Sequence, residues 1–280
     1  MIKSILVIAD CAAGNLTALA KAKELANPFN ANILVVRFIN TTPGADVADT
    51  MKAAEQALIT DLAMVFTDNK PQHEVVVTPD ITAWTKQSCQ QNGFDLVIKT
   101  GHRSERSFYT PTDWHLIRQL PCPVLIASDS KWRAKPVVLA TVDLEDKSAP
   151  QQSLNNKAVT QAAEMAIARN AKLAVAYSLP IPKALLELDI IEKESYARKH
   201  EQKLQKKMQE FLDAVEVMNA EIFIKSGPAE KSLPSLANKI KADLVVVGSV
   251  GRQGLKGALL GNTAEKILHH LRTDILVVKP

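Results

Sequence analysis

Five of the ten glycines in this 280-residue chain stand between positions 248 and 261: Gly248, Gly251, Gly254, Gly257 and Gly261, within GSVGRQGLKGALLGN. Glycine suits places where φ turns positive or where a ligand or second backbone comes close, and it costs extra conformational entropy on folding. The apolar run DLVVV precedes the segment and TAEKILHHLR follows it. A strand that ends at Gly248 and a helix that starts near Asn262 and Thr263 would bring unpaired N–H groups and the positive end of a helix dipole to one crevice. The chemistry on offer is the binding of phosphate, with Asn262 and Thr263 as further donors. The spacing is neither the GxxxxGK(S/T) loop nor the GxGxxG fingerprint. On the residues alone two readings stand: a phosphate cradle, or a long flexible loop that ends in a helix cap.

The other reactive side chains form no catalytic set. His73, His102, His115, His200, His269 and His270 lack HxxxH or HExxH spacing. His269 and His270 fall late in the last helix, where a cation is mildly favourable. His102 with Asp113 or His115 could make a polar cluster, but metal binding there is the lesser expectation. Cys11, Cys89 and Cys122 are few, odd in number and without CxxC spacing. They predict no disulfide framework and a reducing compartment. Cys11 follows Asp10 near a strand end, with a small buried thiol as the default reading. No nucleophile, base and orienting group can be read together, so binding is expected in preference to turnover.

The elements that position these residues come next. The length suits two domains of about 140 residues. Hydrophobic residues make up 46% of the chain and aromatics only 5%, as when aliphatic helices pack on buried strands. Residues 1–130 carry 11 Lys and Arg against 13 Asp and Glu, and residues 131–280 carry 23 against 17, so the second half is the better host for an anion. Part of that excess lies in ARKHEQKLQKKMQE (197–210); Ala197, Leu204, Met208, Phe211 and Val215 fall at helical spacing, so the charges read as the solvated face of an amphipathic helix. No nucleic-acid-binding motif accompanies it, and no direct nucleic-acid binding is expected. No apolar stretch approaches the roughly 20 residues of a membrane span. The first apolar run is about five residues long and ends at Asp10, unlike a secretory leader. A soluble, cytoplasmic protein is expected.

The chain repeats internally. SILVIAD (4–10) parallels PVVLATVD (136–143), and each leads into an alanine-rich helical stretch, 16–26 and 155–170. ANILVVRFIN (31–40) parallels AKLAVAYSLP (171–180), and NGFDLVIKTGHR (92–103) parallels IKADLVVVGSVGR (240–252). TDWHLIRQLPCPVLIAS (112–128) parallels AEKILHHLRTDILVVKP (264–280). Short runs apolar at every position alternate with helices, which predicts parallel strands covered on both faces. The fold class is α/β: two doubly wound, Rossmann-like domains in tandem, 1–130 and 131–280, joined through SDSKWRAKP (128–136).

Gly248-x2-Gly251-x9-Gly261, between an apolar strand and the TAEKIL helix and with DILVVKP as the last strand, resembles the nucleotide-binding signature of the universal stress protein family. The resemblance covers nearly the whole chain as two copies of the family's domain. It implies adenine nucleotide alpha hydrolase-like domains, each with a five-stranded parallel sheet in the order 3-2-1-4-5. It also implies ATP or a related adenine nucleotide at the strand ends of the second copy. On that resemblance Asp143 faces ribose or Mg²⁺-bound phosphate, and Thr141 lies at the neighbouring lip. Ser178 and Val247 border the base. Gly248, Val250 and Gly251 line the phosphates from one side, with Gly261, Asn262, Thr263 and Ala264 on the other. The family places Ser or Thr directly after the last glycine, whereas here Asn262 intervenes.

The first copy departs further. Thr100, Arg103 and Thr110 stand where the second has Gly248, Gly251 and Gly261, and Pro111 removes an N–H at the helix start. A cradle of the same design is not expected there; solvated loop arginines are the default for Arg103 and Arg106. The resemblance implies a stress-response regulator or switch. A weak ATP hydrolase and a scaffold without nucleotide are the alternatives. It further implies pairing of the two domains through 123–128 and 275–280, in imitation of a dimer of single-domain chains, and protein partners that the residues do not identify. The segment 177–191 after the second strand is expected to pack as a loop and helix start.

Overall fold

A computed structural model describes residues 1–11, 14–40, 46–101, 111–181, 193–249 and 262–280. They form two compact units, Met1–Asp129 and Ser130–Pro280. The first contains β1 (Ser4–Ala9), α1 (Thr17–Phe29), β2 (Asn32–Ile39), α2 (Val47–Val65), β3 (Gln72–Val77), α3 (Ile81–Asn92), β4 (Leu96–Thr100), α4 (Pro111–Gln119) and β5 (Val124–Ala127). Its strands pair in parallel in the order β3-β2-β1-β4-β5. The second contains β6 (Val137–Thr141), α5 (Ala149–Ala168), β7 (Lys172–Leu179), α6 (Lys193–Ala214), β8 (Glu221–Ser226), α7 (Ala229–Lys239), β9 (Leu244–Gly248), α8 (Asn262–His270) and β10 (Asp274–Val278). Its order is β8-β7-β6-β9-β10, again all parallel. Both are the expected 3-2-1-4-5 doubly wound sheet. Among the described residues no helix is long and apolar enough to cross a membrane.

The uninterrupted apolar runs are the central strands. Ile5, Leu6 and Val7 of β1, Val138 and Leu139 of β6 and Val246 of β9 are fully buried, as a sheet sandwiched between helices requires. The helices bury one stripe each: Ala18, Leu19, Ala22 and Leu25 on α1, and Leu154, Ala158, Val159, Ala162 and Met165 on α5. Side-chain caps fix several helix starts. Asp46 accepts from Ala48 N and Asp49 N before α2, Asp80 from Ala83 N before α3, and Ser148 Oγ from Gln151 N before α5.

The amino ends of the two sheets carry the same clasp. Asp95, just before β4, accepts hydrogen bonds from Lys3 N (2.8 Å) and Ser4 N (3.0 Å) and so ties β4 to the start of β1. Asp243, just before β9, accepts from Val137 N at the start of β6 (2.8 Å) and from the N–H, Nε and guanidinium NH2 of Arg133. Ser4 thus corresponds to Val137, and Asp95 to Asp243. Counting along the paired strands then sets Asp10 opposite Asp143, and Thr100 opposite Gly248. Burial alone would raise the Asp243 pKa; the Arg133 side chain and the two backbone donors outweigh it and hold the carboxyl below the ordinary value.

Candidate functional site

The carboxyl ends of β6, β7 and β9 open into a cavity of about 550 Å³ in the second unit, within the range of small-molecule sites. An open parallel sheet places ligand pockets at this edge, because strand order reverses there and neighbouring loops diverge. Thr141, Asp143, Ser178, Val247 and Gly248 all line it. Among the other expected site residues, Asn262, Thr263 and Ala264 open α8, whose backbone begins at Asn262. That helix borders the cavity through Ile267. Val250, Gly251 and Gly261 lie outside the described residues, as do Arg103, Arg106, His102, Thr110 and most of 177–191.

Each lining residue is held by an identifiable contact. Thr141 ends β6, and its Oγ1 donates to Val246 O (3.2 Å) across the β6–β9 pair. Asp143 follows in an exposed loop, where its Oδ1 accepts from Glu145 N (2.9 Å) and Asp146 N (3.3 Å). This Asx turn shapes the approach to α5. Its other carboxylate oxygen, Oδ2, makes no hydrogen bond among the described residues. The Asp143 backbone is gripped on both sides by Asn155 of α5, which accepts from Asp143 N (3.1 Å) and donates to Asp143 O (2.6 Å). Gln151, one turn earlier, donates to Asn155 Oδ1 (2.9 Å) and fixes the orientation of that amide. Lys207 of α6 donates to Leu144 O and secures the same loop.

Ser178 is buried near the end of β7, and its hydroxyl is engaged inside the protein. It donates to Gly227 O (3.0 Å) and shares a 2.6 Å hydrogen bond with Ser232 Oγ. With Gly227 and Pro228 it forms one wall of the cavity. Gly248 also has an internal reason to lack a Cβ. A methyl group there would stand 2.6 Å from Leu154 Cγ and 2.7 Å from Leu154 Cδ2, so glycine at this position lets α5 close onto the end of β9. Close packing on Leu154 thus accounts for glycine at this position, which also lines the cavity.

The rim is acidic. Asp143, Glu145 and Asp146 come from the β6–α5 loop, and Glu230 from the first turn of α7. The backbone and side-chain hydrogen bonds from Ser148 hold the Asp146 carboxyl below its ordinary range. Lys266 of α8 stands 3.9 Å from Glu230. A bare polyanion would meet repulsion at this rim, whereas a cation or a metal-bound phosphate would be drawn to it. Sequence reasoning passed over Asn155, Gln151, Glu145, Asp146 and Glu230. The signal for the first two was a pair of amides at helical spacing, i and i+4, at the start of an alanine-rich helix.

At the corresponding edge of the first unit, among the described residues, several polar side chains are engaged within the unit itself. Asp10, the counterpart of Asp143, is buried, whereas Asp143 is exposed. Thr100, the counterpart of Gly248, turns its Oγ1 to accept from Ala18 N (3.1 Å) and so caps α1. Arg37 of β2 pairs with Asp61 of α2 at 2.5 Å, and Lys99 of β4 pairs with Asp113 of α4 at 2.7 Å; all four side chains are buried. Asp113 is thus the partner of Lys99. Cys11 is exposed, contrary to the buried thiol expected, and its S–H donates to Phe38 O (3.1 Å).

Residues 1–128 and 148–279 match the sequence model described as the universal stress protein family. The chain is 34% identical over 203 residues to universal stress protein E of Escherichia coli K12, a match that covers 69% of this chain and 63% of the relative. It is 31% identical over 201 residues to the universal stress protein E homolog of Haemophilus influenzae, covering 69% and 65%. The matched region therefore spans under two thirds of those relatives. Among solved structures, a putative universal stress protein from Pseudomonas aeruginosa superimposes over all of this chain and 94% of its own, with a TM-score of 0.77 and 26% identity. A functionally unknown protein from the same species gives 0.76 and 26% over 100% of this chain and 93% of its own.

Proposed function

The chain belongs to the universal stress protein family, and from that premise we propose that its second unit binds ATP or a related adenine nucleotide, the bound state serving as a switch in the response to stress. The observation that carries this reading is the convergence of Thr141, Asp143, Ser178, Val247 and Gly248 on one cavity at the strand ends. Val247 and the backbone at Ser178 would flank the base. Asp143, with one carboxylate oxygen turned to its own loop, has the other for ribose or for Mg²⁺. Gly251, Gly261, Asn262, Thr263 and Ala264 would supply N–H groups to the phosphates. The donor set fits the metal as well as the nucleotide: oxygen ligands suit Mg²⁺, which ordinarily binds through one or two carboxylates together with phosphate. When bound, the ion would neutralise phosphate charge at the acidic rim. Among the described residues no arrangement of nucleophile and base accompanies the cavity, so the reading is binding, with hydrolysis slow at most.

Titration of the purified protein with ATP, with and without Mg²⁺, tests it. Saturable binding that strengthens with Mg²⁺ and disappears in Gly251→Val is expected; affinity unchanged by that substitution would overturn the site. A second reading, a protein-interaction scaffold without nucleotide, is favoured by one observation. Leu154 packs where a Cβ on Gly248 would stand, which accounts for that glycine with no ligand.

A further inference from the structure

We propose that Cys89 and Cys122 form a reversible disulfide within the first unit when the protein meets hydrogen peroxide or another peroxide. Cys89 lies in the last turn of α3, and Cys122 stands between Pro121 and Pro123 where the chain leaves α4 for β5. Neither is in a disulfide and both are buried, at 4% and 7% exposure. Their sulfurs are 3.6 Å apart, and the Cys122 S–H points at Cys89 Sγ. A disulfide bond measures about 2.05 Å, so the sulfurs need approach by only about 1.5 Å to bond.

The surrounding backbone holds the pair in place. Gly93 ends α3 in the left-handed region (φ 65°) and donates to Cys89 O at 3.0 Å. Proline restricts the chain on both sides of Cys122, and Pro123 O accepts from Val97 N at 3.0 Å, which ties that turn to β4. The hydrogen bond from Cys122 favours the Cys89 thiolate and outweighs burial, leaving its pKa below the ordinary thiol value. The carboxyl end of α3 opposes a thiolate there, and access is narrow, so oxidation is expected to be slower than in a dedicated peroxidase. Cys11, by contrast, is exposed and bonded to a carbonyl.

Hydrogen peroxide serves as the oxidant. The Cys89 thiolate attacks one peroxide oxygen; an S–O bond forms, the O–O bond breaks, and the departing hydroxide takes a proton to leave as water. The Cys122 sulfur then attacks the Cys89 sulfenic acid; the S–S bond forms, the S–O bond breaks, and a second water leaves with the Cys122 proton. The two sulfurs lose two electrons in total and peroxide gains them. A thiol reductant restores the pair.

Peptide mapping by mass spectrometry tests this on the full-length protein, exposed to hydrogen peroxide, then denatured and alkylated in acid-quenched samples. The expected result is a cross-linked peptide joining Cys89 to Cys122, reversed by dithiothreitol, with Cys11 unlinked to either. Cys89→Ser and Cys122→Ser should each abolish the cross-link, and the wild-type map decides the question even if a variant folds poorly. The proposal fails if both thiols remain alkylatable while Cys11 oxidises, or if either is carried to sulfinic acid without a cross-link.

Discussion

At Gly248 the missing Cβ and the Leu154 side chain occupy the same space, so the residue answers to packing before it answers to any ligand. Gly248→Ala should therefore destabilise the protein by roughly 1–3 kcal/mol through overpacking, read as a lower denaturant midpoint. Adding Leu154→Ala should give less than the sum of the two single losses; additive losses would separate the two sites. Asp143 differs in that its carboxylate is only half committed to the loop. Asp143→Asn keeps an Oδ1 acceptor for Glu145 N and Asp146 N but removes the charge. It should weaken Mg²⁺-dependent ATP binding by about tenfold, the equivalent of roughly 1.4 kcal/mol, with little change in thermal midpoint. Unaltered affinity would remove Asp143 from the site. Asp243 offers a pH signature. Its folded pKa lies below the ordinary value of about 3.9, so its contribution is fully present above that value and is lost as pH falls through the folded pKa. The stability gap between wild type and Asp243→Asn should stay constant from neutral pH to about 4 and shrink below it. A gap that widened with acid would reverse the assignment.

Among the elements, β4 and α4 are joined by a buried ion pair where the equivalent strand of the second unit carries only apolar residues. Removing one partner takes a buried counter-charge from the other: Lys99→Met should cost up to about 3–5 kcal/mol, and Lys99→Met with Asp113→Leu should recover most of it. Equal stability of the single variant and the wild type would show that Lys99 and Asp113 are not a closed pair. The strands themselves were legible in the sequence, because apolar runs of four or five residues bounded by turn residues are too short for buried helices and suit strands covered on both faces. The helix start at Asn262 was legible from the polar residues ahead of TAEKIL. The charges within the runs were harder. Arg37 in LVVRF and Lys99 in LVIKT reveal a buried cation, but their partners on α2 and α4 are set by packing between elements, which no local pattern encodes. Asn155 was missed for the same reason: its two hydrogen bonds to Asp143 cross from a helix to a loop and exist only once α5 has docked on β6.

On the scale of the whole molecule, one plan is used twice with opposite outcomes at the same sheet edge. In the second unit the strand ends open on a cavity whose rim carries Asp143. In the first, Thr100 caps α1, Asp10 is buried, and the flanking charges pair with one another. The two units share the amino-end clasps at Asp95 and Asp243, whereas their carboxyl ends differ. The difference between the two edges predicts one nucleotide per chain. The most direct measurement is isothermal titration of the purified full-length protein, cleared of bound small molecules, with Mg²⁺ and ATP. One equivalent per chain, lost in Gly251→Val, is the result predicted. Two equivalents would mean that the first unit also binds, and no binding would leave the cavity to another ligand.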